Sequence, residues 1–133
     1  MKVYVFGNLD LGGDRVALEV AKKLEGKIKD LEFIYVNPNE DLPFAGKSRV
    51  VILDAVLGIN KVCLLDENDL EKLTADRSVS VHDFDLGFQL KYLKKLGKIK
   101  KMTIVGLPMD KRVNYLRIQS ILRKLVAQEM QGS

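Results

Sequence analysis

Asp14, Asp54 and His82 are the side chains of this 133-residue chain whose type and sequence context best suit them to chemistry. Two carboxylates and one imidazole that converge make an open, facial set of ligands. Such mixed oxygen and nitrogen ligation suits nickel, zinc, manganese or iron(II), and leaves positions for water or substrate. Each residue also has a plain structural role to weigh against this one. Asp14 stands where the N-cap of a following helix would stand, its carboxylate accepting from backbone amides. Asp54 follows the apolar run Val50-Val51-Ile52-Leu53 and can end a strand through a local turn. His82 is the only histidine, and a lone histidine is more often incidental than a ligand.

Other chemistries are poorly supplied. Gly7-Asn8-Leu9-Asp10-Leu11-Gly12-Gly13-Asp14 joins a strand to a helix, where a nucleotide loop would lie. Asn8 and Leu9 break the dinucleotide fingerprint. Gly7 and Gly12 have phosphate-loop spacing, but Gly13-Asp14 replace the required Lys and Ser or Thr. Asp10 and Asp14 would repel a phosphate by about 1–4 kcal/mol per pair at contact distance, so the loop suits a cation. No G-x-S-x-G elbow is present to build a serine triad around His82. Cys63 falls in an apolar segment and reads as a small buried hydrophobe, with a catalytic thiolate as the minor reading.

The elements that must position these residues alternate between strand and helix. Lys2 to Phe6 reads as a strand closed by Gly7-Asn8. Val16, Ala17, Val20, Ala21 and Leu24 recur at helical spacing, with Gly26 just past the end. Leu31 to Val36 predicts the second strand, and Arg49 to Leu53 a third buried on both faces. Val62 to Leu65 gives a short fourth, after which Asp66 is placed to cap a helical turn through Leu73. Residues 74–83 are polar and irregular. Leu86, Leu90, Leu93 and Leu96 mark an amphipathic helix that Gly97 ends. Met102 to Val105 predicts a fifth strand stopped by Gly106 and Pro108, and Ile118, Ile121, Leu122, Leu125 and Val126 a terminal helix. This alternation predicts a three-layer α/β/α domain spanning 1–133, with a mostly parallel five-stranded sheet. Ligands of such sheets bind beyond the carboxyl ends of the strands.

The composition fits that reading. Hydrophobic residues make up 47% and charged residues 30%, which argues against a disordered or collagen-like chain. One cysteine excludes an internal disulfide and a cysteine-cluster metal site. No apolar run reaches the roughly 18 residues of a membrane span, and the chain opens on a short strand where a leader would begin with a charged region. A cytoplasmic protein without membrane or nucleic-acid partners is expected. The net charge of +4 is uneven. Lys91, Lys94, Lys95, Lys98, Lys100 and Lys101 crowd the second half, and no interleaved aromatics or nucleic-acid motif accompany them. They read first as a solvated helix face and turn, and second as a docking footprint for a partner.

Several blocks, in order, carry a family resemblance. Val3-Tyr4-Val5-Phe6-Gly7-Asn8 with Asp14 following, Ile52-Leu53-Asp54-Ala55-Val56, Ser80-Val81-His82, and Thr103-Ile104-Val105-Gly106-Leu107-Pro108 resemble the hydrogenase maturation endopeptidases over nearly the whole chain. Two details differ from the family pattern: Gly13 precedes the acid where a glycine usually follows it, and the Pro-Gly commonly found beyond the D-A-V block is missing. The resemblance implies a phosphorylase/hydrolase-like α/β fold. It also implies a cytoplasmic endopeptidase that removes a C-terminal extension from the large-subunit precursor of a [NiFe] hydrogenase. In the family an acid after the Gly-Asn loop, the Asp of the D-A-V block and a later His bind nickel, which maps to Asp14, Asp54 and His82. The nickel is carried by the substrate, and zinc, cadmium or another divalent ion can stand in for it. Gly7, Asn8, Gly12 and Gly13 would shape the cleft. Two other readings are a non-catalytic metal-sensing or chaperone-like module using the same three ligands, and a nucleotide-binding domain, which the acidic loop disfavours.

Overall fold

A computed structural model describes residues 1–6, 15–36, 47, 49–56, 59–69, 99–108 and 112–132. Five strands form one sheet: β1 (Lys2–Phe6), β2 (Glu32–Val36), β3 (Arg49–Val56), β4 (Cys63–Asp66) and β5 (Lys101–Pro108), in the order β2-β1-β3-β5-β4. All neighbours run parallel except β4, which lies antiparallel to β5. The mostly parallel five-stranded α/β fold expected from the sequence is the one observed.

Burial follows the pairing. β3 has a strand on each side and is buried from Val50 to Val56. The edge strand β2 buries only Phe33 and Val36, and Tyr35 remains 43% exposed. Alternate residues of the central strands face opposite sides. Val3, Val5, Val51, Leu53, Ala55, Val105 and Leu107 share one cluster with the buried stripe of helix α1 (Arg15–Leu24) and with Ile118, Leu122 and Val126 of helix α2 (Tyr115–Gly132). Tyr4, Phe6, Ile52, Met102 and Ile104 form a second cluster on the other face. Both faces are thus buried, as three layers require. The helix expected at Leu86 to Leu96 lies outside the described residues.

Local chemistry fixes the element ends. Gly26 adopts φ 76° past the end of α1, a conformation cheap only for glycine. At α2 the Asn114 Oδ1 accepts from Arg117 N–H at 3.1 Å, the cap of an exposed helix start. After β4 the Asp66 Oδ1 accepts from the amides of Asn68 and Asp69, each at 2.9 Å, and Asp69 Oδ2 accepts from Asp66 N–H at 3.0 Å. This reciprocal box bears out Asp66 as a cap.

Two strands run further than their sequence suggested. β3 continues from Leu53 to Val56, and β5 passes Val105 and Gly106 to Pro108, because the two remain in register through Asp54↔Gly106, Ala55↔Leu107 and Val56↔Pro108. Pairing energy outweighs the local breaking tendency of Gly106 and Pro108. Leu122 is fully buried in the shared core, so Leu122→Ala should lower stability by about 2–5 kcal/mol, read as an earlier urea midpoint with unchanged slope.

Candidate active site at the carboxyl edge of the sheet

The strand order reverses between β1 and β3. The chain proceeds from β1 outward to β2, then returns to the other flank of β1 with β3. A crevice opens where such a reversal occurs, outside the carboxyl ends of the strands. Asp54 belongs to the strand on one side of it.

Val5 pairs with Leu53, so Asp54 is level with Phe6, the last residue of β1. Beyond that level β3 keeps β5 on one flank, and among the described residues no strand lies on the other. There the Ala55 N–H donates to Asp54 Oδ1 at 2.9 Å. Asp54 is only 3% exposed and is the single buried charged residue in the described set. A carboxylate at such depth is costly unless hydrogen-bonded or paired, and the Ala55 amide supplies part of that compensation. Asp54 therefore lies within the strand, three positions earlier relative to the strand end than expected, and is not a strand terminator.

The start of α1 lies at the same edge. Leaving α1, the chain passes Asp30, whose carbonyl accepts from the Met1 ammonium, and Glu32, whose amide donates to Met1 O at 2.9 Å. Residues 30–32 thus lie at the amino edge, level with the start of β1. Arg15, at the opposite end of α1, faces the carboxyl edge to which Phe6 and Asp54 belong. Asp14 adjoins Arg15 in sequence but lies outside the described residues, as do Gly7, Asn8, Gly12, Gly13 and His82. Among the described residues no three Asp, Glu, His or Cys side chains gather.

Gly106 is the residue whose importance to this edge the sequence hid. It pairs with Asp54 on one side and Cys63 on the other. A Cβ there would lie 3.1 Å from Val56 Cγ2, 3.3 Å from Cys63 Sγ and 3.5 Å from Ile59 Cδ1. Strand alternation puts that absent side chain on the face of Asp54. The signal was present, since a glycine within an otherwise apolar strand marks close approach. Cys63 is half-buried, and its thiol is pushed up by burial first and by the Asp69 carboxylate second. It favours the protonated form, which disfavours it as a nucleophile.

Comparison with known proteins agrees with this geometry. The sequence matches the model of the HycI family, hydrogenase maturation protease, over residues 35–131. The chain belongs to the hydrogenase maturation protease family. That match includes Asp54 and His82 and begins after Asp14. No curated protein sequence matches the chain. Among solved structures, it is similar to the hydrogenase maturating endopeptidase HybD from Escherichia coli, with a TM-score of 0.66 and 19% identity over 99% of this chain and 94% of that one. It is also similar to an endopeptidase from Escherichia coli, with a TM-score of 0.62 and 18% identity over 98% and 90%. A hydrogenase 2 maturation peptidase from Thaumarchaeota archaeon SCGC_AB-539-E09 aligns with a TM-score of 0.51 and 16% identity over 97% of each chain. At these identities the likeness is one of fold.

Two outcomes test this edge. Gly106→Val should destabilise the junction of β3, β4 and β5, because its branched side chain has no space between Val56 and Cys63; a melting temperature equal to that of the parent would contradict the close approach. Iodoacetamide should alkylate Cys63 slowly at neutral pH, with a midpoint above the ordinary thiol range, since the raised pKa keeps the thiolate scarce until more alkaline pH.

Proposed function

We propose that this member of the hydrogenase maturation proteases is a cytoplasmic endopeptidase that removes the C-terminal extension of a nickel-loaded [NiFe] hydrogenase large-subunit precursor. Asp14, Asp54 and His82 would be its ligands to the substrate's nickel. The observation that best supports this is the position of Asp54. It is a buried carboxylate on the strand beside the sheet's reversal point, in a chain whose family model covers it.

The chemistry of the donor set fits the metal. Hard carboxylate oxygens and one imidazole nitrogen accept a divalent first-row ion and leave sites for the substrate's own ligands. Nickel seated in the precursor would supply Lewis acidity, polarising the scissile carbonyl or activating a water.

The chain's own contribution is placement. Pairing with β5 along the whole of β3 and with β1 as far as Leu53 fixes the backbone of Asp54. The Ala55 amide fixes one carboxylate oxygen. Asp14 would approach from the start of α1, and His82 from the segment between β4 and β5. A set this open holds a free ion weakly and a substrate-borne ion well, because the precursor supplies the missing ligands. Selectivity for metal-loaded precursor follows from that division.

Asp14→Ala, Asp54→Ala and His82→Ala should each reduce cleavage of nickel-loaded precursor by about a hundredfold or more, on the scale of lost metal ligation. Asp14→Ala should keep the parent's circular dichroism and melting temperature. Unimpaired cleavage by that variant would reject the ligand assignment. Nickel-free precursor should remain uncut by the wild-type protein; equal cleavage of both precursors would reject nickel as the recognition element.

A further inference from the structure

The opposite end of the sheet carries a different chemistry. Arg49 and Lys101 begin β3 and β5 and are direct register partners. By alternation their side chains share the face of Val51 and Thr103, toward α2. Like charges on facing positions of adjacent strands repel. Among the described residues, neither cation has a carboxylate partner.

Both line a cavity of about 330 Å³ between the sheet and the last turns of α2. Thr103 and Gln128 add neutral hydrogen-bonding groups to the lining; Lys2 borders the cavity too, but alternation puts its side chain on the face of Tyr4 and Phe6. Among the described residues the cavity's one carboxylate, Glu129, stands 3.8 Å from the Met1 ammonium and is committed there. The last turn of α2 has no basic residue of its own, so the sheet's cations also face the negative end of that helix. A helix end carries only about half an elementary charge, which offsets a fraction of this positive lining.

We propose that this cavity binds a small oxyanion group, a phosphate or a carboxylate. Arg49 would grip it through the planar guanidinium fork, which matches both groups. Lys101 supplies a second charge from the adjacent strand, and Thr103 and Gln128 complete the hydrogen bonding. Five residues along β5 separate Lys101 from Gly106, the partner of Asp54, a distance of roughly 16 Å. The site is therefore separate from the carboxyl edge and does not depend on the function proposed above.

The test uses the full chain at constant ionic strength set with sodium chloride, with inorganic phosphate and citrate as separate probes. Either probe at ten times its Kd should raise the melting temperature by about 4–6 °C. Calorimetry should show saturable binding that weakens at least tenfold in Arg49→Gln and in Lys101→Gln, both of which replace exposed side chains. Binding of one probe alone would identify the group as a phosphate or a carboxylate and would support the proposal, as would binding of both. Variants that lose stability yet keep the full response to the probes would overturn it and leave these cations serving only the end of α2. Absence of any shift beyond that of matched chloride would also overturn it.

Discussion

The pairing of β3 with strands on both sides is the constraint from which the rest of the molecule follows. A strand bonded along both edges and covered on both faces must be almost wholly apolar, and Val50 to Leu53 meets that demand. The same confinement makes Asp54 expensive. Its carboxylate is tolerated in part because the Ala55 amide donates to it, at the level where, among the described residues, β1 ends. Burial, strand length and strand order thus act together at one residue. Moving Asp54 one position along the strand would turn its side chain into the cluster beneath α1 and α2, where its surroundings would be apolar.

The cations that begin the central strands lie at the edge opposite Asp54, alongside the acids Asp30, Glu32 and Asp66. At the carboxyl edge lie Asp54 and the end of α1 that follows Asp14 in sequence. At the amino edge lie Lys2, Arg49, Lys100 and Lys101, together with the chain's first ammonium group. This separation changes the meaning of the lysine-rich segment. Its described members, Lys100 just before β5 and Lys101 at its start, lie a strand's length from Asp54, so they cannot touch a peptide bond held there. Any part they take in recognition concerns a different group from the one that is cut. Lys91, Lys94, Lys95 and Lys98 lie outside the described residues.

Periodicity made most of the layered architecture legible. The α1 stripe of Val16, Ala17, Val20, Ala21 and Leu24 is buried as its spacing requires, and the terminal helix buries Ile118, Leu122 and Val126. Asp66 was readable as a cap because an acid between an apolar run and a helical turn has few other roles. What the sequence concealed depends on partners distant in the chain. Gly106 and Pro108 look like breakers in isolation, but eight consecutive register pairs with β3 carry β5 through both. Cys63 looked fully buried from its apolar neighbours, yet β4 is an edge strand that leaves Leu64 49% exposed and the cysteine half-buried. The site itself was legible as a set of residue types. Of its three members only the surroundings of Asp54 are described; Asp14 and His82 lie outside the described residues.

That topology is still restrictive. A parallel β-α-β unit returns the chain to the edge from which its next strand starts, so β1 ends and α1 begins at the carboxyl edge. Arg15 is thereby held at the edge that Asp54 borders. The end of β4 and the start of β5 both lie at the amino edge, where Asp66 and Thr103 pair. The second cluster, around Tyr4, Ile52 and Ile104, is buried on the face away from α1 and α2, the face that Asp54 and Gly106 share.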